Sequence, residues 1–199
     1  MTNTARHDSD KRVIRTKKAI KEALFRIMEE KDISAISISE LTASANVNRR
    51  TFYTHYRNLT DILNEIEGDL VAALMELVEQ YDRDDVEKST YNLFMGLDKL
   101  ITVDFDYYFR IVRVDMRGML MQRLKNVLKI SADGIVEALS IEPGSDAAIL
   151  SAFIVGGFFN TYLEWHNNPG KGSIERSAKL AAAMVAACSK NAESIVSEI

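Results

Sequence analysis

The sequence predicts an all-α protein, and three observations carry that prediction. Only two prolines, Pro143 and Pro169, and nine glycines interrupt 199 residues, so few points can break a long helix. Apolar residues recur at the 3.6-residue period in segment after segment, and no segment alternates apolar and polar residues with the β-branched enrichment of a strand. Helix starts are also spelled out, with Ser, Asn or Asp standing where a first turn needs an acceptor for its free N–H groups.

About nine helices are expected. Residues 1–9 are short, polar and terminal, and read as a disordered tail. A first helix runs from about Asp10 to Glu30, with Ile20, Ala23, Leu24 and Ile27 on one face and Lys17, Lys18, Lys21 and Glu22 outside it. Ser37 followed by Glu40 reads as a capping box, and Ile36 with Leu41 as a hydrophobic staple, opening a short helix over 38–44. In the turn that follows, Asn46 is one of the few non-glycine residues that enters the left-handed region cheaply. Asn48 then caps a helix whose Phe52 and Tyr56, four apart, face inward. Asn58 and Asp61 open a long helix reaching roughly Gln80. After the acidic connection 81–89, helices are expected near 87–103, 105–116, 119–140, 145–167 and 173–197. Pro-Gly loops separate the last three.

Charge divides the chain. Residues 1–57 hold 12 Lys+Arg against 7 Asp+Glu, whereas 58–199 hold 13 against 22. A basic head on an acidic body suggests a polyanionic partner for the head alone. The domains expected are therefore a DNA-binding head, 1–57, and a body, 58–199. The single cysteine, Cys188, fits a reducing compartment. The polar start lacks the apolar core of a signal peptide. The longest apolar run, 147–159, is too short to span a bilayer, so a cytoplasmic protein is expected. Neither a phosphate-binding Gly-rich loop, nor metal-type Cys/His spacing, nor a nucleophile with its base is visible. No enzyme, cofactor or metal is expected.

Helix, tight turn and helix over 37–56 is the pattern by which a second helix enters the major groove and offers its first residues to base edges. Arg49, Arg50, Thr51 and Tyr53 hold those positions, and arginine's planar fork matches the paired acceptors of guanine. Candidates for the phosphate backbone are Arg15, Thr16 and Lys17 on the first helix, Ser37 and Asn48 at the caps, and Thr54, His55 and Arg57. His55 has a second reading, as an interfacial ring packed beside the aromatics.

The stretch "ISISELTASANVNRRTFYTHYRN" resembles the helix-turn-helix of the TetR family of bacterial one-component regulators. Thr51, Phe52, Tyr53, His55 and Tyr56 match its recognition helix position by position. Asn46 stands for the usual glycine of the turn, and Leu59 where the family often has a phosphate-contacting lysine, a role left to Arg57. The resemblance implies a helical body that binds a small effector and forms a dimer through its last two long helices. The function implied is a dimeric repressor on a palindromic operator, released by its effector. The alternative is a coactivator whose body docks a ligand-carrying partner protein.

In the body, Gly156 and Gly157 interrupt an apolar helix and invite close backbone approach. The last helix is alanine-rich, so Ala182 and Ala186 join the two glycines as dimer-interface candidates. The other reading is that both helices fill their own subunit's core. An effector pocket is expected from Tyr91, Phe94, Phe105, Tyr108, Phe109, Arg113, Arg117, Phe153 and Asn160, with the arginines favouring an anionic or carbonyl-bearing ligand. The bland reading of the same stretch is core packing with local pairing such as Asp106 with Arg110.

Overall fold

The computed structural model describes residues 3–104, 119–139, 141, 143–168 and 172–198. Among them are eight α-helices and no strand. They are α1 (Asn3–Met28), α2 (Ile38–Ser44), α3 (Arg49–Tyr53), α4 (Leu59–Glu79), α5 (Val86–Lys99), α6 (Met119–Ala138), α7 (Ser145–Asn167) and α8 (Ile174–Ser197). A 3₁₀ turn at Ile33–Ala35 precedes α2, and a wider π turn, Leu100–Asp104, continues α5. The helix expected at 105–116 lies outside the described residues. Two compact units result, Met1–Gly68 and Asp69–Ile199.

The expected tail at residues 1–9 is corrected in part, because α1 already begins at Asn3. Residues 3–10 contain neither Gly nor Pro, and extending an existing helix avoids the cost of nucleating one. α1 buries Ile20, Ala23, Leu24, Phe25 and Ile27, four of which were expected. They pack with Leu41 of α2, Phe52 and Tyr56 around α3, and Ile62 and Ile66 of α4 in the core of the first unit. At the C-terminus of α1, Arg26 donates to the Ser44 carbonyl at 3.1 Å, so a cation closes the last turn of α2.

In the second unit α5 packs on α8, α7 on α6, and α7 on α8. Phe94 of α5 is fully buried, with edge-to-face contacts to Phe158 at 5.5 Å and Tyr162 at 5.4 Å. Gly96 lets α5 come close to α4, because a Cβ there would stand 2.9 Å from the Leu77 methyls. α7 differs from expectation in one respect. At 23 residues, with mean hydropathy 1.3 over its most apolar window, it is long and apolar enough to cross a bilayer by those two criteria. Here it is a packed helix of the unit, burying Ile154, Val155, Phe158, Phe159 and Tyr162.

Candidate nucleic-acid interface

The head's geometry is set by short-range hydrogen bonds. Ser37 Oγ accepts the Glu40 N–H at 3.2 Å and starts α2. The Glu40 carboxylate receives Lys31 Nζ at 2.5 Å. That contact, and after it the Ser37 backbone N–H, the other half of the expected capping box, hold its carboxyl below the usual range. α2 ends in a Schellman motif, with Val47 N–H donating to the Thr42 carbonyl and Asn46 N–H to that of Ala43. Asn46 occupies the left-handed region at φ 52°, which glycine enters freely and asparagine more cheaply than most other residues. Asn48 Oδ1 accepts the Arg50 N–H at 2.8 Å and starts α3.

α3 is anchored from behind. Phe52 is fully buried and Tyr56 nearly so, their rings 5.9 Å apart. Arg49, Arg50 and Tyr53 are exposed and Thr51 half-exposed, so the four residues chosen for base contact share the outward surface of this helix. Tyr53 is steadied by an edge-to-face contact with Phe52 at 5.4 Å. A groove of about 330 Å³ runs between α1 and α3, with Arg12 and Thr16 on one wall and Arg50, Thr51, Thr54 and His55 on the other.

The phosphate candidates divide. Arg15 is exposed. Ser37 and Asn48 spend an oxygen on capping, which leaves the Ser37 O–H and the Asn48 amide N–H groups free to donate outward. Thr16 and Thr54 line the groove, but their O–H groups donate to the carbonyls of Arg12 at 2.9 Å and Thr51 at 2.6 Å. Arg57 is exposed, and its Nε and Nη2 donate side by side to the two carboxylate oxygens of Asp61, at 2.9 and 3.1 Å. That pairing, with a backbone N–H bond, holds the Asp61 carboxyl below its ordinary value.

Lys17 is a correction. It is expected outside the apolar face and free for phosphate, yet it is half-buried, with Nζ 2.6 Å from Glu65 of α4 and over the Tyr56 ring at 5.5 Å. Lys21 joins the same carboxylate at 2.8 Å, and Tyr56 donates to it at 3.2 Å. Burial works against the Glu65 charge, but hydrogen bonds from the two lysines hold its carboxyl below the usual range. Lys17 is thus a strut between α1 and α4. Its acceptor is 48 residues away, and no local pattern points to it. Arg12, by contrast, had a signal that the sequence reading missed, standing one helical turn before Thr16 on the same face.

In the second unit, Phe105, Tyr108, Phe109, Arg113 and Arg117 lie outside the described residues. Of the other pocket candidates, Tyr91 is half-exposed and Phe94 is core. Phe153 is corrected: it is 65% exposed, and Asn160 is exposed too. The apolar cavity among α5, α6, α7 and α8 instead has Leu93, Leu128, Ile154 and Phe158 in its walls, beside Tyr81, Thr90 and Ser131, and measures about 20 Å³. Burial pushes the Tyr81 hydroxyl up, and it bonds Thr90 Oγ1 at 2.7 Å.

The dimer candidates divide as well. A Cβ on Gly156 or Gly157 would meet nothing within 4 Å, and Gly157 is exposed. Ala182 and Ala186 are corrected, because at 1% and 6% exposure they are spent inside the second unit's own core. The outward apolar residues are Ile149 and Phe153 on α7 and Leu180 and Met184 on α8, all between 57% and 65% exposed. Of these, Phe153 and Met184 line a shallow groove together with Gly157 and Cys188.

Comparison with known proteins fits this geometry. Residues 20–66 match the family model for bacterial regulatory proteins of the tetR family. An uncharacterized HTH-type transcriptional regulator of Bacillus subtilis (strain 168), YxbF, is 29% identical over 103 residues, which is 48% of this chain and 27% of that protein. The aligned part thus spans about a quarter of that relative. Among solved structures, a TetR transcriptional regulator from Streptococcus agalactiae 2603V superposes with a TM-score of 0.59 at 22% identity, covering 90% of this chain and 98% of that one. The transcriptional regulator FadR from Bacillus subtilis, in complex with stearoyl-CoA, gives 0.61 at 16% identity, covering 84% and 96%. At those identities the structures speak for the fold, and the family match is carried by the helix-turn-helix alone: residues 20–66 are similar to the tetR family of bacterial regulatory proteins.

Proposed function

We propose that this regulator is a ligand-responsive homodimeric repressor acting in the cytoplasm, and that its effector releases it from a palindromic operator. The observation that carries the DNA-binding part is the outward cluster Arg49, Arg50, Thr51 and Tyr53 on a helix whose start, turn and rear face are each fixed by named contacts. Such a helix presents its first residues to base edges, and arginine reads guanine bidentately. Arg15, Thr16, Ser37, Asn48, Thr54, His55 and Arg57 surround it as phosphate contacts, Arg57 exchanging Asp61 for the DNA.

One head reads too few base pairs for useful specificity, and a two-fold dimer doubles the site. The outward stripe Ile149, Phe153, Leu180 and Met184, beside the open Gly157, is the surface proposed to meet a second copy. Phe153 therefore moves in this reading from the effector pocket to the interface. The stearoyl-CoA held by FadR supports a small-molecule effector for a body of this fold.

One observation favours the alternative, a coactivator docking a ligand-carrying partner. Among the described residues the apolar cavity within α5 to α8 measures about 20 Å³, room for about one water, while the roomier cleft between α6 and α7, about 550 Å³, is open.

An operator selected from random duplexes tests the first reading. Combined Arg49, Arg50 and Tyr53 to Ala should abolish specific binding. Wild-type affinity in that variant means the reading helix is elsewhere. Release of the operator by a small molecule alone supports the repressor, and release only with a second protein supports the coactivator.

A further inference from the structure

We propose that the groove between α1 and α3 is a seat for one backbone phosphate of the DNA, and that filling it takes up a proton at His55. The proposal rests on the DNA-binding reading above. It adds Arg12, outside the contacts assigned so far, and a pH dependence.

The geometry is specific. Arg12 of α1 and Arg50 of α3 stand on opposite walls of the groove, and His55 lines it with them. Among the described residues no carboxylate lines this groove, in contrast to Lys17 and Lys21, which meet Glu65, and Arg57, which meets Asp61. The remaining lining is Val13 with Thr16, Thr51 and Thr54, so each wall also offers hydroxyl groups. A groove with a guanidinium-bearing residue on each wall suits a tetrahedral anion, which can accept from both.

His55 faces Arg12 from α1 and Arg50 from α3, and on its own segment its ring neighbour is Tyr56 at 6.5 Å. A phosphate seated there places a negative charge beside the imidazole. A neighbouring anion favours the protonated ring, which donates from both nitrogens. The DNA-bound form then carries more protons than the free form. By linkage its affinity is highest at low pH and falls as pH rises through the range in which imidazole titrates.

The test measures dissociation constants from about pH 6 to about 8.5, the span in which imidazole changes charge, at fixed ionic strength, with a selected operator duplex. The wild type should lose up to about tenfold in affinity per pH unit per head over the steep part. His55→Gln should flatten that profile, and Arg12→Gln should lower the salt slope by about one unit per head. NMR of the His55 imidazole provides a second readout, with its titration moving upward on adding duplex and staying put with inorganic phosphate alone. An equal shift with inorganic phosphate would make the groove a free-anion site and overturn the DNA seat. A flat wild-type profile, or one unchanged in His55→Gln, overturns the proton uptake. No duplex binding at any pH defeats the DNA-binding reading itself.

Discussion

Residues 37–58 and α7 are built by opposite rules. In the first region each change of chain direction has its own side chain: Ser37 and Asn48 at helix starts, Asn46 at φ 52°, and Asn58, whose Oδ1 accepts the Asp61 N–H at 3.0 Å. α7 begins at Gly144 without a side-chain cap and is apolar nearly all round. What decides its orientation is which face finds a partner. A region coded locally places its side chains from sequence alone, whereas a region coded by packing can be read for its helices but not for their faces.

The largest expected effect breaks α7–α8 at its surface without touching its interior. Phe153→Glu with Met184→Glu changes two side chains that are 65% and 58% exposed. The fold should survive with an unchanged circular dichroism spectrum while light scattering gives the 22.4 kDa protomer. Operator affinity should fall by about 10²–10⁴, the loss expected when two linked heads become independent. A dimer that persists would place the interface elsewhere.

The interior counterpart is Ala182→Leu. Ala182 is 1% exposed, and overpacking a filled core costs about 1–3 kcal/mol. Chemical denaturation should show that loss. An unchanged midpoint would mean that Ala182 faces open space after all. A change of similar size is expected in the head from Arg49→Ala, but in a different quantity. Specific affinity should drop by about 1–3 kcal/mol and discrimination should relax at one base pair, with stability nearly unaltered.

Smaller effects sharpen the local code. Asn48→Ala removes the acceptor for the Arg50 N–H and should cost about 1 kcal/mol of stability. Asn46→Gly should be neutral to slightly stabilising, since glycine meets no penalty at positive φ, whereas Asn46→Val should destabilise by about 1–2 kcal/mol. If valine is tolerated there, the Schellman turn is not what holds the two helices.

The smallest effect is the Glu65 strut. Its carboxyl is held below the ordinary value of 4.5. A depressed carboxylate contributes stability at neutral pH that is lost as pH falls below about 4.5 and through the folded value. Lys17→Met should therefore cost about 1 kcal/mol or less at neutral pH, nearly nothing in acid, and leave the salt dependence of DNA binding unaltered. A salt slope reduced by one unit per head would return Lys17 to the phosphate backbone.

By itself the sequence determined the helical class, the caps, the left-handed Asn46 and the outward set Arg49, Arg50, Thr51 and Tyr53. All of these follow from interactions spanning five residues or fewer, where spacing is geometry. Only the tertiary structure decided the fates of cations and apolar residues that local spacing leaves equivalent. Lys17 turned inward because Glu65, 48 residues on, supplied a half-buried partner. Arg12, one turn earlier on α1, was left to line a groove without a carboxylate. Ala182 and Ala186 went inside while Leu180 and Met184 stayed out. Small side chains let α8 lie close against its neighbours, and a helix with apolar residues on every face is oriented by the surfaces it meets rather than by its own pattern.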